Sequence, residues 1–120
     1  MPNDRELALI FKALAAPARI RMVQLLKNRA LCVGALAKIL EITPGAVSQH
    51  LAVLKEAGLV VADKRGYFMH YRLDQVTLAR WKEALGQFLT APEALESCEL
   101  LDLGGSPCVP VKPNVKNRNC

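Results

Sequence analysis

Hydrophobic residues recur with the period of an α-helix along the first part of the chain. Four of them fall on one face of the first segment: Leu7, Ile10, Phe11 and Leu14. This spacing predicts an amphipathic helix. Pro17 either ends that helix or opens a second one over residues 17–28, because proline is tolerated in the first turn of a helix. A third, short helix is predicted from about Cys32 to Leu40, with one hydrophobic face: Val33, Leu36, Ala37 and Leu40.

A fourth predicted helix has recognisable signals at both ends. Thr43 is a good N-cap, Pro44 suits the first turn, and Gly58 is a typical C-terminal stop. At 100° per residue, one side of this helix is mainly hydrophobic and comprises Val47, His50, Leu51 and Leu54. The other side carries small and polar residues: Gly45, Ser48, Gln49, Ala52, Lys55 and Glu56. Two short helices joined by a tight turn predict a helix-turn-helix unit.

The hydrophobic period changes from helical to alternating after the fourth helix. Val60 and Val61 lead to a polar turn at Lys64 to Gly66. The residues that alternate after the turn are Tyr67, Met69, Tyr71 and Leu73. This pattern predicts a β-hairpin. We therefore predict a mainly α fold with a β-hairpin wing, that is, a winged helix-turn-helix.

Helical spacing returns from Asp74 to about Thr90. The hydrophobic residues of this last helix are Leu78, Trp81, Leu85 and Phe88, a spacing that suits packing against the core or a partner helix. Pro92 closes the helix and can open a short acidic one through Leu101. The glycines and prolines that follow exclude regular structure. We predict a winged helix-turn-helix domain over residues 1–91 and a cysteine-containing extension over residues 92–120.

Positive charge is concentrated in the middle of the chain. Between Pro17 and Arg72 there are nine Lys and Arg against three Asp and Glu, whereas Asp74 to Asp102 has two against six. A basic centre favours a polyanionic partner such as DNA, with an ordinary solvated basic surface as the alternative.

The candidate DNA contacts lie on the polar side of the fourth helix and at the hairpin tip. Ser48 and Gln49 can hydrogen-bond to base edges, and Lys55 can reach a phosphate. The small residues Gly45 and Ala52 allow a close approach. The candidates at the hairpin tip, for a phosphate or the minor groove, are Lys64 and Arg65.

Composition limits the function classes. The 120 residues are 52% hydrophobic and 22% charged, which is typical of one small globular domain. No segment is apolar enough to span a bilayer, and the N-terminus does not resemble a signal peptide, so we expect a cytoplasmic protein with no membrane partner. There is no glycine-rich phosphate loop, and His50 borders a hydrophobic face, which favours a structural histidine. We expect neither enzymatic activity nor a permanent cofactor.

Three of the four cysteines lie in the C-terminal extension, at Cys98, Cys108 and Cys120. In a reducing cytoplasm they are expected to be free thiols, metal ligands or redox sensors. A flexible segment of this kind can fold three sulfurs around one thiophilic ion. Cys98 and Cys108 are the first pair of candidates, Cys120 can instead be a disordered terminal residue, and Cys32 is either a further sulfur donor or a small buried hydrophobic residue.

Four segments carry a family resemblance: "ALAAPARIRMVQLL", "LCVGALAKIL", "VSQHLAVLKEAGLV" and "KRGYFMHYRL". In order and spacing they resemble the ArsR/SmtB family of bacterial metalloregulatory repressors. The resemblance implies a homodimer built largely from the first and last helices, with Ser48 and Gln49 in the major groove and Lys64 and Arg65 in the wing. It also implies release of operator DNA when a metal or metalloid binds. The expected interface residues are Leu7, Phe11, Leu78, Trp81, Leu85 and Phe88.

The chain departs from the family at its metal sites. Arsenic-sensing members often carry Cys-Val-Cys at the start of the third helix, but here Gly34 replaces the second cysteine and leaves Cys32 alone. Zinc-sensing relatives use Asp and His pairs on the last helix, where this chain has no His and only Asp74 and Glu83 as acids. The usual ligands for hard or borderline ions are therefore missing.

The sequence is best interpreted as a homodimeric repressor that binds an imperfect inverted repeat in double-stranded operator DNA. Its inducer is expected to be trivalent arsenic or antimony, As(III) or Sb(III), inorganic or methylated, bound by thiolates of one subunit or two. One alternative is a thiol-redox or reactive-sulfur sensor of the same fold, in which Cys32 or Cys98 links to Cys108. The other is a soft-metal buffer or protein-interaction module without operator binding.

Overall fold

A computed structural model describes residues 3–94, 97–98, 104–105 and 109 of the chain. These residues form five helices and one hairpin, in the order α1 (Asp4–Leu14), α2 (Pro17–Leu25), α3 (Val33–Leu40), α4 (Pro44–Glu56), β1 (Val60–Arg65), β2 (Phe68–Leu73) and α5 (Gln75–Leu89). The order of elements confirms the predicted winged helix-turn-helix. No helix among the described residues is long and apolar enough to cross a membrane.

The helix starts follow from local capping. The Asn3 side chain accepts a hydrogen bond from the Glu6 backbone N–H at 2.8 Å and caps α1, and Asp74 caps α5 through the Val76 N–H. Pro17 is the first residue of α2, so it opens the second helix rather than ending the first. Cys32 is the N-cap of α3 and not its first residue.

The core lies between the helix-turn-helix and the base of the hairpin. It is built from α2, α3, α4 and both strands, and its buried residues are Met22, Leu26, Leu36, Val47, Leu51, Leu54, Leu59, Val60 and Leu73. Leu31 forms an isolated antiparallel bridge with Tyr71, through N···O distances of 3.0 and 2.8 Å. The bridge holds the segment before α3 against the hairpin.

The hairpin turn lies further along the chain than the sequence predicted. β1 and β2 are antiparallel, with Arg65 opposite Phe68, so the turn consists of Gly66 and Tyr67. Gly66 has φ +64°, whereas Tyr67 does not have a positive φ. This is the pattern of a type II′ turn, which takes glycine in its first central position. The predicted turn at Lys64 to Gly66 was wrong because Lys64 and Arg65 are the last residues of β1.

The chain divides into two units, Met1–Thr90 and Ala91–Cys120. In the first unit α5 packs beside α1, and Leu78 and Trp81 contact the core. The short acidic helix predicted between Pro92 and Leu101 falls partly on residues 95–96 and 99–101, which lie outside the described residues.

Candidate DNA-binding surface and cysteine positions

Both ends of helix α4 are capped by residues next to them in the sequence. The Thr43 Oγ1 accepts a hydrogen bond from the Ala46 N–H at 3.1 Å. At the other end Gly58 has φ +84°, and its N–H donates to the Lys55 carbonyl while the Leu59 N–H donates to the Leu54 carbonyl. These two bonds form a Schellman motif, and the buried pair Leu54 and Leu59 supplies its hydrophobic contact. The helix therefore has a defined length and direction.

The buried and exposed sides of α4 match the prediction. Val47, Leu51 and Leu54 are at most 2% exposed and fix the rotation of the helix about its axis. The residues predicted to face DNA are all exposed: Gly45, Ser48, Gln49, Ala52 and Lys55. Because these side chains share one solvent-facing side, α4 has the form of a recognition helix that can enter a major groove.

The wing adds a basic surface after α4. Lys64 and Arg65 are exposed at the end of β1. Asp63, the acid nearest to them in the chain, accepts a hydrogen bond from Arg72 Nε at 2.6 Å. No carboxylate in the described part of the chain pairs with Lys64 or Arg65. Both cations are therefore available for phosphates.

Arg19 joins the end of α1 to α4, a contact that the sequence did not indicate. Its Nε donates to the Ala13 carbonyl at 2.7 Å and its Nη2 donates to the Lys12 carbonyl at 3.3 Å. Its Nη1 lies 3.0 Å from Nδ1 of His50. Nδ1 is the acceptor in this contact, because a guanidinium can only donate. His50 is half-buried rather than fully in the core, and it has Arg19 as a hydrogen-bond partner, as the sequence interpretation of a satisfied histidine expects.

The predicted interface residues lie on two adjacent helices. Phe11 of α1 and Phe88 of α5 are in edge contact, with ring centroids 5.5 Å apart and an interplanar angle of 64°. Both remain substantially exposed, at 42% and 54%. Arg80 Nη2 also pairs with Glu6 Oε1 across these helices at 3.2 Å. We call the surface of Leu7, Phe11, Leu85 and Phe88 the α1–α5 face.

The structure describes two of the four cysteines, Cys32 and Cys98. Cys32 is a half-buried free thiol. Cys98 is half-buried, and its sulfur takes part in a disulfide bond. The other two predicted sulfur donors, Cys108 and Cys120, lie outside the described residues. Within the part of the chain that is described, no three His, Cys, Asp or Glu side chains come together to hold a metal ion.

Comparison with known proteins places this arrangement in a family. Residues 16–61 match the profile "Bacterial regulatory protein, arsR family". The chain is 33% identical over 107 residues to the arsenic resistance transcriptional regulator ArsR1 of Pseudomonas putida, covering 82% of this chain and 83% of that protein. The chain belongs to the ArsR family. This confirms the resemblance and identifies a DNA-binding transcriptional regulator, not an enzyme.

Solved structures of similar proteins share the fold. A possible transcriptional regulator for arsenical resistance is 41% identical with a TM-score of 0.62, covering 68% of this chain and 84% of that chain. Reduced HlyU from Vibrio cholerae is 30% identical with a TM-score of 0.61, covering 74% and 94%. In this ArsR-family protein the profile match includes α2, α3 and α4, which is the helix-turn-helix with its preceding helix.

We expect Gln49→Ala to weaken binding of this ArsR-family protein to its specific site and to have little effect on random DNA. Loss of a base-edge hydrogen bond costs about 1–3 kcal/mol at the specific site. Fluorescence anisotropy with specific and random duplexes measures both affinities. Gln87→Ala is the control, since Gln87 is an exposed glutamine on α5. Equal losses on both duplexes for Gln49→Ala would show that α4 does not read the sequence.

Proposed function

We propose that this ArsR-family protein is a cytoplasmic, homodimeric repressor that binds an imperfect inverted repeat. The observation that carries the proposal is the exposed polar side of α4, held between two caps and followed by a basic wing. One such unit reads only a few base pairs, so useful specificity requires two units on adjacent half-sites. The comparisons give no support to a module without DNA binding.

The α1–α5 face supports the proposed dimer. Phe11 and Phe88 are large aromatic residues that stay half-exposed although they touch each other. Exposed aromatic clusters of this kind are typical of protein interfaces, because burial of their surface stabilises an association. A two-fold dimer through this face would repeat the cluster on the partner subunit.

We propose that As(III) or Sb(III), inorganic or methylated, releases the operator after binding cysteine thiolates. The names of similar proteins support this class of inducer: ArsR1 of Pseudomonas putida is an arsenic resistance regulator, and a relative from Escherichia coli, 42% identical over 65 residues, is an arsenical resistance operon repressor. Trivalent metalloids prefer sulfur ligands. The proposed donors are Cys98, Cys108 and Cys120, with Cys32 as an alternative donor.

Position 34, in the first turn of α3, has room for a second sulfur beside Cys32. A Cβ placed on Gly34 would lie 3.9 Å from Cys32 Sγ, which is an ordinary van der Waals distance. Gly34 has no positive φ, so a side chain fits there without strain. A cysteine at this position would place a second sulfur beside Cys32.

We therefore expect Gly34→Cys to restore metalloid-dependent release in a Cys98→Ser background. Chelation by two neighbouring thiolates raises the apparent affinity by about 10²–10⁴-fold over one thiolate. The measurement is operator release by As(III) in reduced protein. Gly34→Ser has a similar size but no sulfur and should restore nothing. If Gly34→Cys and Gly34→Ser respond alike, the start of α3 cannot act as a thiolate site in this chain.

A second candidate function is a thiol-redox or reactive-sulfur sensor. The disulfide bond of Cys98 favours it, because a sulfur in a disulfide is no longer a thiolate ligand. The two candidates differ in what releases the DNA. An oxidant without metalloid should release it from a redox sensor, whereas As(III) with a phosphine reductant should release it from a metalloid sensor.

The repressor itself is tested by selection of duplexes from a random-sequence pool with the full-length, reduced protein. We expect an imperfect inverted repeat whose half-site centres are about 10 base pairs apart or a multiple of that spacing. Sedimentation should give two chains per duplex. Selection of single, unrepeated sites by one chain would contradict the proposed dimer.

A further inference from the structure

The tip of the wing carries exposed hydrophobic side chains that the fold does not use. Tyr67 is 99% exposed, Phe68 is 64% exposed and Met69 is 44% exposed. These three residues are consecutive and include the second residue of the turn. Folding of the single chain gains almost nothing from Tyr67. Its exposed side chain is therefore a candidate contact for a bound partner.

The charges around the tip indicate what kind of partner fits. Lys64 lies opposite Met69, and Arg65 lies opposite Phe68, in the register of the hairpin. Asp63, the only acid in either strand, is already bonded to Arg72. The tip thus combines two available cations with three exposed apolar side chains. A DNA minor groove has the complementary pattern, because phosphates line its rims while sugars and base edges form its walls and floor.

The shape of the tip suits a narrow groove. The turn has only two residues, and its first, Gly66, has no side chain; a Cβ there would meet nothing within 4 Å. Tyr67 is therefore the only side chain that the turn itself carries. A minor groove of B-DNA is about 6 Å wide, which admits one such projecting side chain more readily than a helix.

The base of the wing is firmly attached, so the tip has a rigid support. Val60 and Leu73, paired at the base of the hairpin, are each 1% exposed. Tyr71 is bonded to Leu31 on the other side of β2. β1 also begins only four residues after Glu56, the last residue of α4. The base of the wing is thus fixed next to the end of α4, and the tip lies at the far end of the two paired strands.

We propose that Tyr67 enters the minor groove beside each half-site as a wedge that partly unstacks one base step and bends the operator. Lys64 and Arg65 contact the phosphates on either side. Apolar side chains that act in this way bend DNA towards the major groove, and flexible pyrimidine–purine steps such as TA deform most easily. Tyr67 therefore makes the protein selective for a flexible step outside the bases that α4 contacts. This inference rests on the proposed operator binding.

The test uses duplexes selected from a random pool by the full-length, wild-type protein. Bending is measured by the gel mobility of circularly permuted duplexes, and affinity by anisotropy at several salt concentrations. We expect Tyr67→Ala to abolish most of the bend and to reduce specific affinity about tenfold, in the range typical of a lost aromatic–base contact. Its salt dependence should be unchanged, because no charge is lost. Tyr67→Phe should behave like the wild type.

Two further variants test whether the loss of bending is specific to Tyr67 and whether the two cations contact phosphates. Val76→Ala removes another exposed hydrophobic residue, 71% exposed and outside the wing, and should change neither bend nor affinity. Lys64→Ala with Arg65→Ala should flatten the salt dependence, and an unchanged slope would contradict the phosphate contacts.

If Tyr67→Ala bends the selected duplex as the wild type does, or if the wild type leaves it straight, the wedge is wrong although operator binding stands. If the wild type selects no sequence, the proposed function itself is wrong.

Discussion

Phe88→Asp should convert the repressor into a monomer that no longer holds its operator. Phe88 is 54% exposed in the single chain and touches Phe11. An aromatic anchor of an interface typically contributes about 2–4 kcal/mol, and a substitution in a two-fold dimer acts twice. Burial of a carboxylate adds a further cost. We expect the Kd of the dimer to rise on the order of 10³-fold or more, as measured by analytical ultracentrifugation.

Phe88→Asp should disrupt the interface without unfolding the chain. Phe88 is half-exposed, so Phe88→Asp should leave the helical circular dichroism and the melting temperature nearly unchanged, whereas the half-buried Leu85 would be a less clean choice. Val76→Asp introduces the same charge on the same helix at a 71% exposed position and should remain dimeric. A Phe88→Asp protein with the dimerisation constant of the wild type would place the interface elsewhere.

Cys98→Ser and Cys108→Ser should each abolish release by the metalloid while leaving DNA binding intact. Loss of one sulfur from a chelate removes most of the benefit of effective concentration, which is worth about 10²–10⁴-fold in apparent affinity. DNA binding should persist because the predicted contacts lie on α4 and in the wing. The measurement is anisotropy of an operator duplex titrated with As(III). The protein must be reduced first, since Cys98 takes part in a disulfide bond.

Substitution of Cys120 and of Cys32 tests which other sulfurs bind the metalloid. Cys120→Ser should weaken the response only if the ion takes three sulfurs from the C-terminal extension. Cys32→Ser should leave release intact if Cys32 is only a packing residue, and should abolish it if Cys32 supplies a sulfur. If Cys98→Ser and Cys108→Ser both respond to As(III) and Sb(III) like the wild type, the extension does not contain the metalloid site.

The fold was predictable where its signals are local. Thr43 and Gly58 mark α4 in the sequence, and the structure shows the cap and the Schellman motif that these residues form. The hairpin was predictable from its alternating period. Its turn was misplaced because the polar residues Lys64 and Arg65 were given more weight than the preference of Gly66 for a positive φ. Because a two-residue type II′ turn takes glycine in its first central position, the sequence allowed a turn of Gly66 and Tyr67 to be predicted, with Tyr67 at the tip.

Contacts between distant parts of the chain could not be predicted in the same way. Arg19 and His50 are 31 positions apart, and no periodicity connects them. The spacing of Leu78 and Trp81 suits either the core or a partner helix, and only the structure shows that both contact the core of their own chain. The thiol site remains a prediction, because spacing alone does not determine which sulfurs approach one another.

The proposed inducer is tested most directly by a parallel titration of the reduced, wild-type protein bound to a labelled, selected duplex. As(III), methylated As(III), Sb(III), Cd(II), Zn(II) and an oxidant are added separately, and release is followed by anisotropy. We expect release by As(III) or Sb(III) at about one equivalent per site and no release by Zn(II), because the proposed donors are thiolates. Release by oxidant alone, with no response to any trivalent metalloid under reducing conditions, would contradict the proposed metalloid sensor.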